Sequence, residues 1–468
     1  MQGRAANLIR GLRGSLDDSL FLRSPSPAWG LGRWEAALVV LALLALAAIL
    51  QIFRIGPSSA LGSFWAEDGQ VFFQGAISQG FFDALFQPYA GYLVVVPRLL
   101  GEVGNLMPLG DAPAAVTLSA ALVVALSGLA VWHASGGHIR NPYLRGTLVV
   151  LTVLSPVASL EAVAGGAYAS WYMLFATFWI LLWRPATIWG AVLAGLFVLL
   201  TVLSNPGVWY FAPIVALRLL AARDRGDALI LGGYGLGTAI QLPAILGNTE
   251  NTVEPVWTGD ILTAYLQRVV DGAVLGESLG GDAWADWGWP FLIALVAVLV
   301  ICLAVGLVRT TAPARWFVAI AIPTSVGMFL ISTYQRAVGA VMKWYPDLSS
   351  GLGGRYAIVP ALLLVSVALV LIDRPARPRR GPRQLPWLGM AAVAVLAVAV
   401  VTSFSLRDPL VRGEPSWRDS LEAAASTCPA DPSGIEPIPA AAVTTSPTNF
   451  VVYVPCDRLL SFYNAAAR

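Results

Sequence analysis

Apolar blocks recur along this 468-residue chain at lengths that match the hydrocarbon thickness of a bilayer, and no other feature constrains the fold as strongly. About 20 residues, rising about 1.5 Å each, cross a core of about 30 Å. Backbone amides in hydrocarbon must bond within their own segment, so each block is expected to be a helix. The alternating ten-residue strands of a membrane barrel are absent from the pattern. Only 12% of the residues are charged, about half the usual fraction in a soluble protein. The expected fold is therefore all-α and polytopic. Its spans are Trp34–Phe53, Ala112–Trp132, Thr147–Ala162, Ala167–Trp183, Ala186–Leu203, Pro206–Ala222, Ala228–Leu246, Trp289–Val308, Trp316–Tyr334, Arg355–Ile372 and Leu385–Phe404, about eleven in all. The first block is too long for the core of a cleavable signal and reads as a retained anchor.

Charge orients the spans. With the N-terminus inside, the segments 1–33, 133–146, 184–185, 218–227, 309–315 and 373–384 face the cytoplasm and carry most of the 29 basic residues. That asymmetry is the positive-inside pattern, and it places the C-terminus outside. The outer face then carries the loops 55–111, 247–288 and 335–354 and a tail, 405–468, while the module 34–404 spans the membrane. Two apolar stretches of the first loop, Gln70–Phe82 and Pro88–Met107, read as interfacial helices rather than spans, because Pro97, Arg98 and Glu102 interrupt the second. Of three cysteines, Cys302 falls in mid-span and reads as a buried thiol. Cys428 and Cys456 share the outside tail, where a bridge between them is expected, and 449–455 reads as a strand.

The inventory excludes several chemistries. Both histidines, His133 and His138, fall in one cytoplasmic loop, so an external Ser-His-Asp arrangement or a His-ligated zinc site is ruled out. No phosphate-binding Gly-Lys loop appears, and the glycines at 232–237 suit close helix packing in mid-membrane. An external base must be a carboxylate. Glu67 and Asp68, in FWAEDGQVFF just beyond the first span, are adjacent acids flanked by Trp65 and an aromatic run. Repulsion and poor solvation raise the pKa of at least one of them. They read either as a base or metal-binding pair at the mouth of a site, or as a turn in which Asp68 caps the next helix.

A long first span, an acidic pair, an interfacial helix, the PYAGYL segment and a second interfacial helix together resemble the C-type (GT-C) superfamily of membrane glycosyltransferases. These use polyprenyl-phosphate sugars and include protein O-mannosyltransferases and lipid A aminoarabinose transferases. GGRYAIVP at 353–360 resembles the Arg-Tyr element that opens a late span in that superfamily. The resemblance implies that Asp68 deprotonates the acceptor hydroxyl with Glu67 as companion, that Tyr89 and Tyr92 line the site, and that Arg355 meets the carrier phosphate. The Glu-Asp-Gly order departs from the usual Asp-Glu and leaves open which carboxylate is the base.

Other residues could share such a site. Lys343 and Arg336, in the loop before Arg355 and Tyr356, suit a phosphate headgroup or simple interfacial anchoring. Arg98 faces inward beneath the first loop or pairs with Glu102. Glu161 is a second acid or a metal ligand near the membrane boundary, and a divalent cation shared with the acidic pair is an open option. The function implied is transfer of a glycosyl group from a polyprenyl-phosphate sugar to an envelope glycan, lipid or protein. The remaining partner is the bilayer itself, and no nucleic acid is implied. A transporter or flippase of a lipid-linked precursor and a non-enzymatic scaffold are the rivals; a transporter would place charged or broken-helix sites near the midplane.

Overall fold

The computed structural model describes residues 14, 16, 19–24, 32–159, 162–222, 224–247, 260–336, 354–373, 387–406, 414–432, 439–447 and 449–466. Glu161 and Lys343 lie outside the described residues, as do parts of the loops at 247–288 and 335–354. The chain is mostly helical. Among the described residues, six helical stretches are long and apolar enough to cross a membrane: Arg33–Ile55, Leu109–Ser135, Arg225–Leu246, Ile261–Arg309, Ala312–Gln335 and Arg355–Asp373. Five shorter apolar helices accompany them: Pro142–Val153, Ala169–Leu182, Ile188–Val202, Pro206–Ala221 and Trp387–Thr402.

In chain order the elements begin with a two-residue strand β1 (Leu22–Arg23), α1 (Arg33–Ile55) and α2 (Pro57–Gly62). A π-helical turn, Asp68–Phe73, leads into α3 (Gln74–Ser78), α4 (Phe81–Phe86) and α5 (Val95–Asn105). Then follow α6 (Ala112–Ser135), α7 (Pro142–Val153), α8 (Ala169–Leu182), β2 (Trp183–Arg184), α9 (Ile188–Val202), α10 (Ala212–Ala221) and α11 (Arg225–Leu246). After α12 (Asp260–Ala264) come a second π-helical turn (Tyr265–Asp271), α13 (Gly272–Arg309), α14 (Ala312–Gln335), α15 (Arg355–Asp373) and α16 (Trp387–Thr402). The last elements are α17 (Trp417–Ala425), β3 (Ala440–Thr444), β4 (Val451–Pro455) and α18 (Cys456–Ala466).

Helix α8 is the axis of the bundle: nearly every residue from Ala169 to Leu182 is buried, with Phe178 packed against Phe211 and Phe317 and Trp179 stacked on Phe317. Helix α1 shows the opposite pattern, exposing Leu38, Leu41, Leu46 and Ile49 along its length, as a lipid-facing span does. Helices α9 and α11 approach closely through glycine, since a Cβ on Gly233 would sit 2.2 Å from the Gly195 carbonyl oxygen. The glycine run at 232–237 is thus a helix-packing surface.

Three elements differ from the expectations. Thr147–Ala162 is not a continuous span: α7 ends at Val153, and the segment 154–159 and 162–168 runs through the bundle without forming an α-helix. Pro156 lacks an amide hydrogen and disfavours helical geometry at Ser155, so an apolar composition alone could not carry the helix across. Ser155, Val157, Ala158, Ser159, Ala162, Val163 and Ala164 are all buried, the condition under which irregular backbone is tolerated at such depth. The two interfacial helices of the first loop are shorter and more broken than expected, ending as the π-turn with α3 and α4, and as α5. Cys302 is exposed on α13 rather than buried, because that face of the helix carries Ile301 and Val305, both exposed as well.

The two ends of the bundle are built differently. At one end the N-terminal segment folds in rather than trailing away: Leu16, Leu20 and Phe21 are buried and β1 pairs in parallel with β2. Here Arg218, fully buried, bonds Asp227 at 2.9 Å and the carbonyls of Ile180, Leu181 and Trp183, and Arg184 reaches the same aspartate at 3.3 Å. At the other end Arg54, on the last turn of α1, donates to the carbonyls of Ser155, Ser403 and Phe404. That single side chain ties α1, the non-helical segment and the end of α16 together.

The tail forms an ordered cap on the first loop. Cys428 and Cys456 are bridged, and β3 and β4 pair antiparallel, Ala442 opposite Tyr453. Trp417 is buried, donates from Nε1 to the Leu109 carbonyl at 2.8 Å and packs edge-on against Phe64 and Phe73. Gln74 exchanges two hydrogen bonds with the Tyr453 backbone, and Arg458 bonds Asn105 at 2.7 Å.

Candidate active site

The acidic pair lies where three pieces of irregular backbone meet: the first loop, the segment 162–168 and the cap. Among the described residues, three non-glycine residues have positive φ, and all three are in these turns: Ala66 (39°), Ala90 (52°) and Ala164 (53°). Each costs on the order of 1–3 kcal/mol, a cost that persists only where the surroundings enforce it. At Ala66 the enforcing contacts are a bond from its amide to the Ser446 carbonyl at 2.7 Å and the return bond from Ser446 to Phe64 at 3.0 Å.

Asp68 opens the π-turn but does not cap it. Its carboxylate turns inward and accepts the amide hydrogens of Gly166 (2.8 Å) and Ala167 (2.7 Å), 98 and 99 residues away. The residue is 3% exposed. Burial pushes its pKa up to about 7, with Glu67 adding to the rise, while the two amides pull in the opposite direction. A carboxylate so placed sits half ionised near neutrality and retains lone pairs beyond the two that the amides engage.

Glu67 points the other way. Both its oxygens accept the Tyr168 phenol hydrogen, at 3.1 and 3.2 Å, and Tyr89 donates to it as well. Tyr89 and Tyr92 face each other across a tight turn, Tyr89 N to Tyr92 O at 2.8 Å, which needs the positive φ of Gly91 (88°) beside Ala90. Burial, and then Glu67, push the Tyr89 phenol up to about 12; burial also raises Tyr92.

Two cations complete this face. The Arg355 guanidinium, at the start of α15, lies over the rings of Tyr168 (4.8 Å) and Tyr356 (4.9 Å). Arg336, just past α14, lies over Tyr92 at 5.8 Å and donates to the Ala90 carbonyl at 3.3 Å. Tyr356 packs edge-on against Trp171, and Tyr210 accepts a bond from Ser332. The structure thus gathers Glu67, Tyr89, Tyr92, Arg336, Arg355 and Tyr356 into one cluster.

Other sequence candidates fall elsewhere. Arg98 faces inward, donating to the carbonyls of Val71 and Gln87 and lying over Phe72, so it braces the first loop from below instead of pairing with Glu102. Trp65 is half-buried and lines a crevice with Asp68 on the cap side. Arg355 is not among the lining residues of that crevice. Tyr168, Trp171 and Tyr210 were missed by sequence reasoning. The only local signal was the aromatic density after Gly165-Gly166. Among the described residues no three His, Cys, Asp or Glu side chains converge on a metal geometry.

No protein-family model and no curated protein matches the sequence. Among solved structures, the arabinofuranosyltransferase AftD from mycobacteria is 17% identical with a TM-score of 0.42, the match covering 92% of this chain and 31% of that one. The oligosaccharyltransferase AglB of Archaeoglobus fulgidus, solved with an inhibitory peptide and a dolichol-phosphate, is 13% identical with a TM-score of 0.37, covering 85% of this chain and 59% of that one. This chain thus spans about a third of the first protein's length and under two thirds of the second's. Likeness at this distance carries no residue's role across.

Proposed function

We propose that this chain is a glycosyltransferase with a GT-C-like module of about eleven spans, its N-terminus inside and its capped end outside. It transfers a sugar from a polyprenyl-phosphate carrier to a cell-envelope acceptor. One observation carries the reading: a buried carboxylate, clamped by two amides and with a pKa of about 7, stands one residue from a cluster of tyrosines and two arginines. Asp68 takes the proton of the acceptor hydroxyl, and the resulting oxygen attacks the anomeric carbon. The bond from that carbon to the phosphate oxygen breaks, and the phosphate leaves with the electron pair. A base of pKa near 7 balances ionised fraction against basicity at neutral pH. Arg355 and Arg336, stacked on tyrosines that fix their direction, are the groups to meet the developing phosphate charge. Glu67 orients Tyr168 and Tyr89 and so holds the partition between the two carboxylates' surroundings.

The test is transfer of label from prenyl-phosphate sugars in membranes containing the full chain. Asp68→Asn should lower transfer by about 10²-fold or more, in the range of lost general-base catalysis. Arg355→Ala should raise the donor KM. Unchanged transfer by folded Asp68→Asn removes Asp68 as the base and moves the assignment to Glu67.

A further inference from the structure

The turn that leads into α8, Gly166, Ala167 and Tyr168, holds both carboxylates of the acidic pair. The amides of Gly166 and Ala167 clamp Asp68 at 2.8 and 2.7 Å, and the Tyr168 phenol donates to the Glu67 oxygens at 3.1 and 3.2 Å. The face of the same phenol ring lies under the Arg355 guanidinium, whose carbon is 4.8 Å from the ring centroid. One helical turn later Trp171 packs edge-on against Tyr356, 5.3 Å between centroids, so the start of α8 meets the start of α15 at two rings. The turn is itself anchored to the axis of the bundle. Tyr172, fully buried, donates its hydroxyl to the Ala162 carbonyl at 2.9 Å, and the amides of Ala169 and Trp171 bond the carbonyls of Gly165 and Tyr168. A Cβ on Gly166 would stand 3.0 Å from Asp68 Oδ1, so this backbone is pressed against the carboxylate it clamps.

We infer that Tyr168 is a positioning residue that fixes the acidic pair and the phosphate-binding cation relative to each other, its hydroxyl holding Glu67 and its ring holding Arg355. The inference rests on the transferase reading for what those groups do. Glycosyl transfer needs proton removal and phosphate stabilisation in one event, so the groups that supply them must keep a fixed separation. An arginine side chain has large rotamer freedom. A ring beneath its guanidinium removes much of that freedom and sets the plane in which its N–H groups meet an anion. Glu67 has a second donor in Tyr89, so the Tyr168 hydroxyl aligns the carboxylate without being its sole support. The two tasks thus sit on different atoms of one side chain. Phenylalanine at this position keeps the ring and drops the hydroxyl; leucine drops both.

Binding of radiolabelled farnesyl phosphate to the full chain in nanodiscs tests the ring. Tyr168→Phe should bind it within about twofold of wild type and Tyr168→Leu about tenfold more weakly, as loss of the ring beneath the cation predicts. In an Arg355→Ala background, Tyr168→Leu should cost less than about twofold more, because the ring acts through the guanidinium. Farnesol, which lacks the phosphate, should bind every variant alike. A melting transition shows that each variant is folded, and Tyr168→Met takes the place of Tyr168→Leu if that chain is not. Equal weakening by phenylalanine and leucine, a full additional loss in the Arg355→Ala background, or a parallel loss of farnesol binding by folded protein overturns the inference. Transfer of labelled sugar tests the hydroxyl: Tyr168→Phe should lower kcat about tenfold with the donor KM unchanged. Wild-type kcat in Tyr168→Phe overturns the link to Glu67. If the farnesyl phosphate results hold and no prenyl-phosphate sugar is transferred, Tyr168 still positions Arg355 and the transferase reading fails.

Discussion

Replacing Asp68 by asparagine separates stability from catalysis through pH. In the folded protein the carboxyl titrates at about 7, against 3.8 for an unperturbed group. Between those values the unfolded chain is ionised while the folded chain still holds the proton, so the folded state binds more protons. Stability therefore falls as pH rises from about 4 to about 7 and is level above that. Roughly three pH units at about 1.4 kcal/mol each give a loss on the order of 4 kcal/mol from this one side chain. Asparagine does not titrate, and its carboxamide can keep only one of the two amide bonds from Gly166 and Ala167, at a cost of about 1–3 kcal/mol. Thermal unfolding in nanodiscs at pH 5 and pH 8 reads both effects. The wild-type chain should lose several degrees more between the two pH values than Asp68→Asn does, and the variant should be the less stable at pH 5. Transfer activity should run in the opposite sense, rising through pH 7 as the base ionises. Equal pH dependence of melting in both proteins would refute the burial argument and, with it, the poised base.

Other perturbations have equally direct outcomes. Trp417→Ala removes a buried indole and its bond to Leu109, costing about 3–5 kcal/mol of cap docking, read as faster amide exchange at 64–74. Gly69→Ala would place a Cβ 2.8 Å from Thr445 Cγ2 and 3.0 Å from Phe64 Cβ, and should loosen the same region and lower transfer together. Arg218→Met removes the 2.9 Å partner of Asp227 at the opposite end of the bundle and leaves Arg184 at 3.3 Å, for a loss of about 3–5 kcal/mol in denaturant or thermal melts. The double change Arg218→Met with Asp227→Leu should recover most of that loss.

Much of this was legible in the linear order of residues, for identifiable reasons. Long apolar runs charged only at one end, such as Trp34–Phe53 and Arg355–Ile372, admit one physical solution, and both are helices. Thr147–Ala162 misled because hydropathy counts carbon and does not see that Pro156 and two serines end the helix at Val153. The acidic pair stood out by its chemistry, yet its partners could not. Gly166 and Ala167 offer only backbone amides, which any residue has, and Tyr168 is one aromatic among many in that region. The clustering of Arg336 with Tyr92 depends on the packing of α14 against the first loop, a tertiary fact without a local signature.

The cap's attachment has a consequence for biogenesis. Gln74 is held by Tyr453, 379 residues later, and the strained turn at Ala66 closes only on Ser446. A growing chain that has inserted all of its spans therefore still lacks a finished centre. The apolar bundle can pack early, but the acidic pair acquires its geometry last, when the final strands arrive and Cys428 meets Cys456. Truncation between Thr402 and Ser446 should leave an assembled membrane protein with an unfinished catalytic turn.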